Sequence, residues 1–396
     1  MTPAARLDAA ITILDRILSG TPAEQALTAW ARASRFAGSK DRAAIRDHVF
    51  DVLRCKRSCA HLGGAETGRG LILGLLRLNG HDPASLFTGE GHAPAPLSPR
   101  ETRHSPGPMP ELVALDCPDW LAGPLRKSLG TEFAPVLESL RNRAPVFLRV
   151  NTARITRPEA MAALSAAGIT TAPHDLAPTA LEITANPRAL RQSAPYRDGL
   201  VELQDAASQA VIAALPALQD ARVLDFCAGG GGKALALAAL GANVTAHDIE
   251  PARMSDLPIR AARAQATIRL TDAPEGPFDI VLTDVPCSGS GAWRRSPAGK
   301  WALHPEGLES LHRTQSAILD QVAPMVRPGG WLCYATCSLL ASENGDQITA
   351  FLDRHGGFHC AAQHRFTPLQ GGDGFFLACL KLDTSRRTAT HGCMMP

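Results

Sequence analysis

Two cysteines offer the most reactive chemistry in this chain: Cys287 in TDVPCSGSG and Cys337 in YATCS, each just past a β-rich run and each followed at once by serine. In a parallel sheet both thiols emerge at the carboxyl edge, where open α/β sheets bind ligands. Two thiols there suit covalent chemistry on a bound substrate, because a thiolate is a strong nucleophile. Asp284 precedes Cys287 on a turn that Pro286 stiffens. Cys333, inside the second strand, reads as packing. Residue types alone leave open which thiol attacks.

Upstream, LDFCAGGGGKA (224–234) places Gly229, Gly230, Gly231 and Gly232 directly after a strand. Such a turn lets the backbone approach a ligand, and the following helix presents unpaired N–H groups. It serves nicotinamide, flavin, methyl-donor and phosphate binders alike. A P-loop is disfavoured because Ala234 follows Lys233 where Mg²⁺ binding needs a hydroxyl. Gly229, Gly231 and Ala234 loosely fit a nicotinamide fingerprint, a reading that leaves both cysteine motifs unexplained. Asp248 ends the next strand, where a carboxylate accepts ribose hydroxyls. Asp272 follows a third strand and reads equally as an adenine contact or as a cap or turn residue. After Cys287, the run GAWRRSPAGKW interleaves Arg294, Arg295 and Lys300 with Trp293 and Trp301, cations for phosphates and faces for base stacking.

The elements that must position these residues alternate from Ala221 onward. Strands RVLDFCA, NVTAHDI, TIRLTDA, FDIVLTDV and WLCYATC are separated by helical stretches, the longest over about 306–325, which predicts a doubly wound α/β sheet. FFLACLKL is expected to add an edge strand. Apolar residues at helical spacing predict an all-helical domain over 1–80. The Gly, Pro, His and Ser-rich 81–110 reads as a linker, and 111–205 as a small α+β module, because strand VFLRVNT, helical RPEAMAALSAAG and strand LEITA succeed one another. The sheet domain is expected over 206–383, with a tail over 384–396.

Composition bounds the rest. With 396 residues the chain holds two or three domains, and 40 basic against 38 acidic residues, net +2, leave any polyanion site to a local patch. The ten scattered cysteines read as reduced thiols of a cytoplasmic protein. Asp8 and Asp15 interrupt the amino-terminal apolar residues, so neither a signal peptide nor a membrane span is expected. No metal site is expected.

CAGGGGK resembles the C-A-x-P-G-G-K donor loop, TDVPCSGSG the D-x-P-C-S-x-x-G element, and YATCS the A-T-C-S element of the RsmB/Nop/Sun RNA (cytosine-5) methyltransferases. VELQDAASQ, the RR-x-P…KW run and SENGDQI extend the resemblance over roughly 140–382. It implies a Rossmann-like class I methyltransferase domain, a NusB-like helical domain, and an RNA-binding-like α+β module. It further implies S-adenosylmethionine held by Cys227, Ala228, Gly229 to Gly232, Lys233, Asp248, Asp272 and Asp284. Cys337 is then the nucleophile, Cys287 the thiol assisting product release, Asp284 the stabiliser of the cytosine ring, and Arg294, Arg295, Lys300 and Trp301 RNA contacts. The expected partner is RNA, 16S ribosomal RNA by the nearest branch, bound by a monomer. A transfer-RNA enzyme and a catalytically silent RNA-binding assembly factor are the alternatives. Gly230 departs from the pattern, which has proline there, and this loosens the loop.

Overall fold

The computed structural model describes residues 1–384 and divides into two compact units, one formed by Met1–Ala144 with Ala292–His304, the other by Pro145–Gly291 with the chain from Pro305 onward. The expected tail over 384–396 lies, past Thr384, outside the described residues.

In the helical unit, five helices over Pro3–Leu18, Ala23–Ala33, Ser39–Arg54, Lys56–Gly63 and Gly68–Leu78 enclose Ile13, Leu14, Ile45, Val49, Leu71 and Ile72. The last two helices touch backbone to backbone: a Cβ at Gly74 would lie 1.8 Å from the Cys59 carbonyl oxygen. The unit runs on to Ala144, past the boundary expected at residue 80, and includes further helices over Asp119–Leu129 and Phe133–Leu140. The stretch expected as a linker is tied down: Arg69 pairs with Glu101 at 2.7 Å and donates to the carbonyls of Ala95 and Pro96, each at 3.0 Å.

The second unit holds two sheets. The smaller, in the order β2-β3-β1-β4, comprises β1 (Phe147–Val150), β2 (Thr170–Pro173), β3 (Ala180–Ala185) and β4 (Val201–Leu203), all antiparallel. Its helix Arg157–Ala166 starts at a capping box, in which Thr156 and Glu159 satisfy each other's backbone N–H.

The larger sheet contains β5 (Arg222–Asp225), β6 (Asn243–Ala246), β7 (Ile268–Leu270), β8 (Phe278–Asp284), β9 (Val326–Thr336), β10 (Phe358–Phe366) and β11 (Phe375–Leu382), ordered β10-β11-β9-β8-β5-β6-β7. Strands β5 to β9 run parallel, with β11 and β10 added antiparallel. Val223, Ile280, Leu282 and Cys333 face one core, and Leu224, Val281, Leu332 and Tyr334 the other, as period-two alternation between two helical layers requires. This is the doubly wound architecture expected. FFLACLKL, expected at an edge, is β11 and lies inside the sheet between β9 and β10, which accounts for its nearly unbroken burial. Register aligns Asp225 with Ala246 and Leu282, and Asp284 with Ala335, so the ends of β5, β6, β8 and β9 share one edge.

Candidate active site

At that edge β8 and β9 release their chains side by side, bringing the Cys287 and Cys337 sulfurs within 3.4 Å. A hydrogen bond with Cys337, reinforced by burial, holds the Cys287 pKa well above the ordinary thiol value, so Cys287 keeps its proton. The two cysteine loops are bolted together by a fully buried carboxylate, Glu343. It accepts from the Ser288 N–H at 2.8 Å, the Ser288 hydroxyl at 2.5 Å and the Gln315 amide at 3.0 Å, and also from the Ser338 hydroxyl. Ser290 adds a strut by accepting the Leu339 N–H at 2.8 Å. Gly291 meets Gly374 so closely that a Cβ would lie 2.1 Å from the Gly374 oxygen.

Beside the thiols, the Lys233 ammonium donates to Asp284 Oδ2 at 2.6 Å. Burial alone would lower the lysine pKa, but Asp284, with Asp225 and Cys337, lifts it above its usual value, so Lys233 stays charged. Asp225 is completely buried, neither of its oxygens makes a well-formed hydrogen bond, and desolvation raises its pKa to about 7 against the pull of Lys233. Cys227 is half-buried, with its pKa raised by desolvation, and reads as an inert packing thiol.

The Gly-rich turn joins β5 to the helix Gly232–Ala239. Gly229 and Gly231 take φ of 50° and 77°, a left-handed region that favours glycine. Ala228 donates to the His247 carbonyl at 2.9 Å and Gly229 to Asp248 Oδ2 at 2.9 Å, pinning the loop to the end of β6. Asp248 also accepts the Glu250 N–H at 3.0 Å and pairs with Arg253 at 3.3 Å; it is buried beneath the loop. Asp272, just past β7, is exposed. A Cβ at Gly232 would meet nothing nearer than 3.8 Å, so the loop's helix end has an open approach. Carboxylates around such an approach suit a ligand that carries positive charge.

Residues 212–381 match the family model described as 16S rRNA methyltransferase RsmB/F, and 117–189 the RsmF/B-like ferredoxin-like domain. The chain is 35% identical over 282 residues to a ribosomal RNA small subunit methyltransferase B of Citrobacter koseri and 34% identical over 282 residues to that of Salmonella arizonae. The chain belongs to the RsmB/F methyltransferase family. Each match covers 66% of this chain and 66% of the relative, just under two thirds. Two solved structures share the fold: a methyltransferase homolog of Pyrococcus horikoshii (TM-score 0.61, 23% identical, 70% of this chain and 100% of that one) and NSun6 of the same organism (TM-score 0.59, 17% identical, 67% and 98%).

Within the family's methyltransferase domain, the structure brings Cys287, Cys337, Asp284, Lys233 and the Gly-rich turn to one sheet edge. It departs from the expected RNA contacts. Arg294, Arg295, Lys300 and Trp301 belong to the helical unit. Lys300 is 2% exposed and donates to the Arg54 carbonyl at 3.3 Å. The Arg294 carbonyl accepts from Arg54 at 2.8 Å with its side chain buried, and the Trp301 indole donates to the Leu53 carbonyl at 2.6 Å. Of the four, Arg295 alone is exposed. The run packs into the helical unit: Lys300 satisfies a backbone carbonyl, the Arg294 side chain is buried, and of its cations Arg295 faces solvent.

Burial lowers the Lys300 pKa from 10.5 to about 8, against the pull of Asp116. Between those values the unfolded chain binds a proton that the folded chain has released, so stability rises with pH across that window. The full cost, about 3 kcal/mol, is present below pH 8. The unfolding free energy of the wild type relative to Lys300→Met is therefore expected to climb between pH 8 and 10.5 in denaturant titrations; a flat difference contradicts the buried charge.

Sequence reasoning missed Glu343 as a site residue, although an acidic residue six positions after a reactive cysteine is a signal to weigh. It also missed Ile249, beside Asp248 and 85% exposed, an apolar side chain left in water at a strand end where ligands bind.

Proposed function

We propose that this protein methylates carbon 5 of a cytosine in RNA, small-subunit ribosomal RNA by family, with S-adenosylmethionine as donor. The observation that carries the reading is the pair of thiols 3.4 Å apart at the sheet edge that also bears the Gly-rich turn. The turn, with Asp248 below it and Ile249 beside it, holds the donor's adenosine, and Asp225 and Asp284 complement its positive charge. The donor, when bound, supplies an electrophilic methyl group. No helix among the described residues is long and apolar enough to cross a membrane. The proposed ribosomal RNA substrate is what places the reaction in the cytoplasm in this reading.

Carbon 5 of cytosine is a poor nucleophile until a thiolate adds at carbon 6 and pushes electron density onto it. Cys337 forms that sulfur–carbon bond. Lys233 takes Asp284 Oδ2, leaving Oδ1 to hydrogen-bond the ring as charge develops. After methylation the carbon 5 proton must leave, its electrons re-form the ring double bond, and the Cys337 sulfur departs as thiolate. Cys287, having released its own proton to solvent once Cys337 is bonded to the ring, takes this proton as a thiolate. Beside burial, two influences of Cys337 hold the Cys287 proton in place, its hydrogen bond and its charge. Both disappear when Cys337 is bonded to the base, so Cys287 becomes a base at the step that needs one.

The test is incubation of the purified chain with unmodified small-subunit ribosomal RNA, transfer RNA and methyl-labelled donor, followed by nucleoside analysis. Label in 5-methylcytidine from ribosomal RNA is expected; label in another nucleoside, or in transfer RNA alone, contradicts the reading.

A further inference from the structure

We propose that Arg260, anchored by Glu202, is a positioning residue for the Gly-rich loop, stiffening it where the usual proline is replaced by Gly230. The proposal rests on the reading of that loop as the methyl-donor site.

The loop's weak point is Gly230. Gly229 donates to Asp248 and Gly231 to the Ala228 carbonyl, while none of the loop's hydrogen bonds uses the Gly230 N–H. Its φ lies outside the left-handed region that Gly229 and Gly231 occupy, so nothing in its backbone geometry calls for glycine. A glycine here adds conformational freedom that proline would remove. What fixes it instead is a side chain from another element: Arg260 Nη1, on the helix Leu257–Ala264, donates to the Gly230 carbonyl.

Arg260 is itself held. Its Nε faces Glu202 Oε2 at 3.5 Å, and the same oxygen accepts from Arg263 Nη2 at 2.6 Å. Glu202 lies on β4 of the smaller sheet, is 8% exposed, and stands opposite buried Arg149 in the β1–β4 register. Arg263 is braced by lying 4.4 Å over the Tyr196 ring. One buried anion thus gathers two guanidinium groups, Arg260 and Arg263, one of which reaches the loop. An isolated surface pair would contribute little, but a buried carboxylate shared among several donors restricts their geometry.

The space is also shared. A Cβ at Gly230 would sit 3.2 Å from Arg260 Nη1, closer than side chains ordinarily tolerate. A side chain at position 230 and the Arg260 guanidinium therefore compete for one volume, which makes them alternative ways of stiffening the loop.

The test uses the full chain with Arg260→Ala, Arg260→Lys, Gly230→Pro and the double variant Gly230→Pro/Arg260→Ala. It reads amide hydrogen exchange over 227–233 without donor, donor affinity by calorimetry, and KM and kcat for methylation. Arg260→Ala is expected to speed exchange in the loop and weaken donor binding about fivefold each, raising the donor KM with a much smaller change in kcat. Arg260→Lys falls between. Gly230→Pro alone also weakens binding because its ring meets the guanidinium, whereas the double variant recovers to within about twofold of wild type, which also shows that both substitutions are compatible with folding. Wild-type exchange and affinity in Arg260→Ala, or a double variant no better than the single ones, would overturn the proposal. A wild type that binds no donor sinks the donor-site reading, while the exchange rates still decide whether Arg260 orders the loop.

Discussion

Replacing Cys337 with alanine is expected to lower methyl transfer by on the order of 10⁴-fold or more, with donor binding left close to wild type. Removing a nucleophile deletes the covalent route entirely, and losses of this size follow from that in enzymes that act through a thiol or hydroxyl. Cys337 lies at the mouth of two buried strands and makes no backbone contact that the fold depends on except through its own carbonyl, which accepts the Gly291 N–H at 2.9 Å. An alanine keeps that carbonyl, so the loss belongs to chemistry and not to folding. The measurement is single-turnover methylation with the donor affinity of the same preparation. A rate within tenfold of wild type would remove Cys337 from the reaction.

The second large effect is expected at Glu343. Glu343→Ala leaves the Ser288 N–H, the Ser288 and Ser338 hydroxyls and the Gln315 amide without their shared acceptor in a fully buried position. Each orphaned buried donor costs roughly 1–3 kcal/mol, so a loss of stability of about 3 kcal/mol or more is expected. The same contacts set the distance between the two cysteine loops, and a displacement on the order of 1 Å costs about 10²-fold in rate. Glu343→Gln, nearly the same shape, is expected to retain more of both, since the serine hydroxyls can rotate to accept from an amide. Thermal unfolding together with kcat on the two variants checks this. Wild-type kcat in Glu343→Ala would show that the cysteine loops hold themselves in place.

The larger sheet was legible because strands buried on both faces read as nearly continuous apolar runs between helical periods. β10 was not. Its FHCAAQHRF carries His359, Gln363, His364 and Arg365 at an edge where most side chains meet solvent, so no apolar pattern marks it. With β10 unseen, β11 took its place as the edge strand. In the site, the thiols and the Gly-rich turn stood out because their types and strand-end positions announce chemistry locally. Glu343 did not, since two of its partners, Ser288 and Gln315, lie 55 and 28 residues away and only the fold buries it. The Arg294–Trp301 run misled for the same reason. A cluster of cations and indoles looks like a polyanion surface until Arg54, 240 residues from Arg294 in sequence, is seen to take the Arg294 carbonyl. Local composition reports what a side chain can do, and long-range pairing decides whether it is free to do it.

The central claim is that the two thiols act in sequence on one pyrimidine ring, and trapping the covalent adduct tests it most directly. Cys287→Ala, incubated with donor and substrate RNA and run on a denaturing gel, is expected to accumulate a protein–RNA complex that survives denaturation. The double variant Cys287→Ala/Cys337→Ala is expected to show none. A stable complex formed by Cys337→Ala and absent from Cys287→Ala would reverse the roles of the two cysteines and contradict the account.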